Sequence, residues 1–142
     1  MLVRDDMTAA EEVDWLGPTK PKRGKPELLV QRAVIAFVKR CVRGGYAFHV
    51  PNDTGGSRGN ASHHKLARHR AGVVSGVPDV FAFWPGGCCW LEVKAGKGKA
   101  TDQQLHIHDV LRSGGQNVAV VRSVEETEVA LRSFGAPVMV SG

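Results

Sequence analysis

Residues 77–94, VPDVFAFWPGGCCWLEVK, constrain the fold more than any other stretch. Two short apolar runs, 80–84 and 88–93, flank a Pro-Gly-Gly break, and this pattern predicts a β-hairpin. Side chains i and i+2 of a strand share a face, so Glu92 and Lys94 point the same way, roughly 6–7 Å apart. Asp79 precedes the first run, at the end of the hairpin from which Glu92 and Lys94 emerge. Two carboxylates and one ammonium therefore converge on one point. Such a set suits a divalent cation held beside a phosphate, with a water to activate. The plainer alternative is a surface hairpin with a Glu92–Lys94 ion pair worth ~0–1 kcal/mol.

The chain after the hairpin continues in an α/β pattern. A basic glycine turn, AGKGKA, leads to Thr101, an N-cap residue with Gln104 at the N3 position of a capping box. The predicted helix runs to about Ser113 and ends at Gly114-Gly115. Residues 117–122, NVAVVR, form a nearly continuous apolar strand of the kind buried in a sheet. Ser123 then caps a last helix, with Glu125 and Glu126 in its first turn and Arg132 near its end. Strand, helix and strand from Cys88 to Val121 predict a parallel, right-handed crossover. Upstream, residues 26–43 read as a helix: Pro26 suits its first turn, and Leu28, Leu29, Val34, Ile35, Val38 and Val42 recur at helical spacing. A strand over 46–50 follows. The expected fold is α/β, a small mixed sheet with helices on both faces.

The 142 residues accommodate one domain with loose ends. Residues 1–25 read as a flexible tail, acidic and then basic, and GPTKPKRGKP has linker composition. The folded body spans 26–134, and 135–142 form a short tail or an edge strand. No apolar run approaches the ~20 residues of a membrane span. The N-terminus lacks the charged-then-apolar pattern of a secretory signal, so a cytoplasmic location is expected. Three cysteines, two of them adjacent, argue against a disulfide framework.

Charge directs attention to a polyanion. The chain carries +5, but Asp5, Asp6, Glu11, Glu12 and Asp14 crowd its first fourteen residues. Without those fourteen, 18 basic and 9 acidic residues remain, a net +9. A basic body of this size makes nucleic acid the first partner to consider. Residues 52–64, NDTGGSRGNASHH, form a glycine-rich polar loop that lacks phosphate-loop spacing, as does the 96–99 turn. Residues 61–71, ASHHKLARHRA, read as a short exposed helix whose charge suits phosphate contacts. Its histidines, His63, His64 and His69, have no further Cys or His at zinc-ligand spacing, so zinc is not expected.

These positions in this order resemble the PD-(D/E)xK nuclease superfamily. Within it the chain is most similar to the virus-type replication-repair nuclease (VRR-NUC) family, above all its small stand-alone phage and bacterial members. The resemblance rests on Glu27-x3-Gln31, on Gly76-Val77-Pro78-Asp79, on Glu92-Val93-Lys94 and on Thr101-x-x-Gln104, and it closes on GGQNVAVVRS. It covers residues 26 to about 133. Glu-x-Lys alone is common; its specificity comes from the twelve residues that separate it from Asp79 and read as a hairpin.

The resemblance implies a restriction-endonuclease-like core and a metal-dependent DNA endonuclease. By it, Asp79, Glu92 and the carbonyl of Val93 are Mg²⁺ ligands, with Mn²⁺ as a substitute. Lys94 positions the attacking water and stabilises developing charge. Glu27 reaches the metal through water or helps hold a second ion, although an acid in a first helical turn needs no chemistry to explain it. Gln104 orients Lys94 or contacts the phosphate, or serves only the capping box; Gln103 is the weaker neighbour. Arg58, Lys65, Arg68, Arg70, Lys97 and Lys99 line the DNA backbone path. The resemblance also implies a homodimer acting on branched, flap or Holliday-junction DNA in a bacterial or phage-infected cell. A non-catalytic nucleic-acid-binding module is the alternative, and the complete Asp79/Glu92/Lys94 set disfavours it. A sequence-specific restriction enzyme is disfavoured by small size and the lack of a recognition insert.

Overall fold

The computed structural model describes residues 26–51 and 70–139. The tail over 1–25, the loop expected over 52–64, residues 61–69 of the helix expected over 61–71, and residues 140–142 lie outside the described residues. Arg58, Lys65 and Arg68 lie there too. The described elements are helix α1 (Pro26–Cys41), strands β1 (Tyr46–His49), β2 (Val80–Trp84) and β3 (Gly87–Val93), helix α2 (Asp102–Ser113), strand β4 (Val118–Val121) and helix α3 (Val124–Ser133). Each expected element in these regions is present, with ends within two residues of the expectation.

The four strands form one sheet in the order β1-β2-β3-β4. The first two pairings are antiparallel and the last is parallel, so the sheet is mixed. The β2–β3 hairpin closes on the pair Trp84 and Gly87. Pro85 and Gly86 make the turn, and Gly86 has φ +94°, in the region that favours glycine. From β3 the chain passes through α2 and returns parallel in β4, because parallel neighbours need a crossover.

Strand alternation sorts the residues between two faces. One face holds Ala47, Val80, Ala82, Trp84, Cys89, Leu91, Val93 and Val121, all buried. Val34, Val38 and Val42 of the α1 segment and Ala130 and Leu131 of α3 join these residues in one core cluster. Leu28 and Leu29, which share the helical periodicity, fall outside this stripe; Leu29 is 69% exposed. The buried stripe repeats every four residues from Val34, and Leu29 is out of phase with it. Among the described residues the C-terminal segment adds no strand to the sheet. Val138 instead forms an isolated antiparallel bridge with Val42, and Met139 N–H donates to the Cys41 carbonyl.

The opposite face carries different chemistry. Asp79, Phe81 and Phe83 lie on it from the β2 segment, Cys88, Trp90 and Glu92 from β3, and Tyr46 and Phe48 from β1. Phe81 packs on Trp90 with ring centroids 4.7 Å apart, and Phe48 on Phe81 at 5.7 Å. Helix α2 serves this face at its β4 side, where Arg112 donates to the Val118 carbonyl. At its β1 side the rings of Tyr46, Phe48 and Phe83 remain exposed. All three cysteines are free. Among the described residues no helix is long and apolar enough to cross a membrane.

Candidate active site

Antiparallel register brings the two acids together. Val80 pairs with Leu91, so the next position outward sets Asp79 opposite Glu92. Asp79 sits just before β2, where its side chain reaches across the strand end. Its Oδ2 accepts the Val93 N–H at 2.9 Å. From the β1 side, Val50 N–H donates to the Asp79 carbonyl at 2.7 Å. His49 Nδ1 lies 2.9 Å from that same carbonyl, so the ring proton sits on Nδ1. Three neighbouring groups thus fix the Asp79 backbone and carboxylate.

The turn before Asp79 is tied to α2. Gly76 has φ +87°, and a Cβ there would stand 2.8 Å from the Gln103 carbonyl oxygen. Only glycine permits that approach. Gln103 Nε2 donates to the Ser75 carbonyl at 3.2 Å. Gly76 in the Gly-Val-Pro-Asp run is therefore a packing requirement between the loop and the helix.

Glu92 is fully buried, and Lys94 is 8% exposed. Lys94 Nζ lies 3.6 Å from Glu92 Oε1. That distance gives an ion pair and falls outside the range of a hydrogen bond. Neither Glu92 oxygen has a hydrogen-bond partner among the described residues. Burial pushes the Glu92 carboxyl up to about 7, and the nearby Asp79 charge adds to this while Lys94 opposes it. Asp79 is also raised, by burial first; the Val93 N–H and Lys94 oppose that rise.

Glu27 joins the group from the first turn of α1. It is exposed, yet its charge acts on both Asp79 and Glu92. Its Oε1 lies 3.7 Å from where Gly98 would carry a Cβ, and Lys94 Cδ lies 3.9 Å from the same point. The Gly96–Gly98 turn thus leaves a gap beside Glu27 and Lys94. Arg122 holds this turn by donating to the carbonyls of Gly96 and Gly98. Lys97 and Lys99 of the turn are exposed, as is Arg70.

Gln104 forms the capping box. Its Oε1 accepts the Thr101 N–H at 2.8 Å, and its own N–H donates to Thr101 Oγ1. The helix phase set by this box turns residues 104, 107, 108 and 111 toward the sheet, because i, i+3 and i+4 share a face. His108 lies in that stripe, 1% exposed. Its Nε2 is 3.9 Å from Glu92 Oε2. Burial, with Arg112 and Lys94 nearby, keeps its pKa below the usual histidine value, against the pull of Asp109. His49, Arg122 and His108 were not evident as site residues from the sequence. His108 had a signal: a histidine four residues after Gln104, within the inward stripe.

The donor set is that of a hard cation. Among the described residues no three His, Cys, Asp or Glu side chains gather as a metal site. Mg²⁺ needs fewer, since it takes one or two carboxylates and keeps several waters. Glu92 fits such an ion, because its buried oxygens lack partners.

No family model and no curated protein matches the chain. Solved structures similar to it include one described as a VRR_NUC domain, 23% identical, with a TM-score of 0.55 over 78% of this chain and 99% of that one. Another, described as a VRR_NUC domain protein, is 20% identical, with a TM-score of 0.60 over 79% of this chain and 89% of that one.

Burial makes a testable statement about Glu92. Its folded pKa of about 7 exceeds the ordinary 4.5, so the folded state favours the protonated form. The resulting stability is complete below pH ~4.5 and is lost as pH rises through ~7. Glu92→Gln escapes that loss. Relative to wild type in chelator, the variant should gain about 2–4 kcal/mol between pH 4 and pH 8 in urea unfolding. An offset that does not change with pH contradicts the burial account.

The mixed four-stranded sheet, its flanking helices and the two structural matches lead to one conclusion: the chain has the fold of a VRR_NUC domain.

Proposed function

We propose that this chain is a metal-dependent DNA endonuclease of the VRR-NUC family that selects DNA by structure. The observation that carries this reading is Glu92, buried, without a hydrogen bond, and set opposite Asp79 and beside Lys94. A structural hairpin has no use for such an arrangement, since an unsatisfied buried carboxylate is costly. Asp79, Glu92 and the Val93 carbonyl would hold Mg²⁺, with Mn²⁺ as a substitute, and Glu27 would contribute through water. The ion, when bound, supplies acidification of a water and offsets charge on the scissile phosphate. Lys94 orients that water and stabilises charge that develops on the phosphate. Gln104 has its carbonyl oxygen engaged in the capping box, so any contact with phosphate falls to its amide nitrogen. Lys97, Lys99 and Arg70 contact the DNA backbone, joined by Arg58, Lys65 and Arg68. The role we assign is in replication, recombination or repair in a bacterial or phage-infected cell.

A homodimer is part of the proposal, since paired sites suit branched DNA. The exposed rings of Tyr46, Phe48 and Phe83 support it, because contiguous apolar patches mark partner surfaces. Sedimentation equilibrium should show a dimer that Phe83→Glu converts to monomer. A monomeric wild-type protein contradicts this.

The activity test is cleavage of duplex, flap, fork and four-way junction DNA with Mg²⁺ or Mn²⁺. Branched substrates should be cut, and chelator should stop the reaction. Lys94→Ala should lose about 10²–10³-fold in rate and keep DNA binding. A Lys94→Ala protein that cuts like wild type sinks the mechanism.

A further inference from the structure

We infer that His108 is a positioning residue for Glu92, its Nε2–H donating to Glu92 Oε2 and leaving Oε1 for the metal and Lys94. The inference rests on the proposed role of Glu92 as a metal ligand and adds a residue to it. Both partners are buried, Glu92 at 0% and His108 at 1% exposure. Neither side chain has a hydrogen-bond partner at any polar atom among the described residues. The Nε2 to Oε2 separation is 3.9 Å. About 1 Å of side-chain adjustment brings it to hydrogen-bond length. Buried and without another partner among the described residues, Nε2 and Oε2 are each other's natural partners.

The scaffold holds the pair in register. Glu92 lies within β3 between its partners β2 and β4. His108 lies in the middle of α2, four residues beyond Gln104, whose capping box fixes the phase of the helix. Gln103 ties the same helix to the loop that delivers Asp79. The helix that orients Glu92 is thus anchored to the segment that presents the second acid. A neutral imidazole suffices for this task, and it can donate from Nε2 while Nδ1 stays bare. Outer hydrogen bonds to ligating carboxylates hold the oxygen that faces the metal, and their loss lowers metal affinity or activity by about 10–100-fold.

The experiment compares His108→Leu with His108→Gln, which retains an N–H donor. Mn²⁺ alone is titrated into each protein without DNA, by calorimetry. His108→Leu should bind Mn²⁺ about 10–100-fold more weakly than wild type, and His108→Gln should recover most of that loss. A purely structural histidine predicts no difference between Leu and wild type, or equal weakening in both variants; either result overturns the inference. Imidazole nitrogen NMR of the wild-type protein serves if the leucine variant does not fold. It should show the Nε2–H tautomer, with Nε2 shifting when Mg²⁺ is added; an Nδ1–H tautomer overturns the inference. If wild-type protein binds no Mn²⁺, the metal reading of Glu92 falls and this inference with it. If wild type binds and His108→Leu binds equally, only the role of His108 falls.

Discussion

A carboxylate buried without a hydrogen bond is costly, and a protein keeps one only where something else meets it. Glu92 is such a group, in the interior of a strand with β2 on one side and β4 on the other. Much of the surrounding architecture acts on this position. The hairpin register sets Asp79 across from it, and the Val93 N–H fixes one Asp79 oxygen. Lys94 supplies the compensating charge two residues on. Helix α1 presents Glu27 to both acids. Helix α2 closes over the site with His108. Burial first, and then the charges of Asp79 and Glu27, raise the Glu92 pKa against the opposing pull of Lys94.

Alternation along β2 and β3 divides the labour of the sheet. The even-numbered β2 residues, Val80, Ala82 and Trp84, fill the core against α1 and α3. The odd-numbered positions of the same segment, Asp79, Phe81 and Phe83, face the other way. One short stretch therefore builds the core on one side and the site, with its aromatic flank, on the other. A one-residue slip would bury Asp79 and expose Val80, so the register serves stability and site geometry together.

Most of this was legible in the sequence because it depends on local rules. The Pro85-Gly86 turn and its flanking apolar runs announce the hairpin, and Thr101 with Gln104 announces α2. Once the hairpin is accepted, convergence of Asp79, Glu92 and Lys94 follows from period two. What sequence could not supply is contact across elements. Leu28 and Leu29 match the helical period, yet the packing of α1 selects the stripe through Val34, Val38 and Val42. His108 looks like an ordinary helical residue until α2 is laid over β3. Arg122 reads as the end of a strand, yet it holds the glycine turn beside Glu27 and Lys94. The sequence leaves Gln104 open between a cap and a site residue, and the structure shows the capping box in place.

The account depends above all on Glu92 being a metal ligand beside Asp79. Anomalous diffraction from crystals soaked in Mn²⁺ tests this directly. The account predicts a peak between the two carboxylates, in direct contact with a Glu92 oxygen. Crystals that take up Mn²⁺ elsewhere, or not at all, while Glu92 stays buried and unliganded, would contradict it.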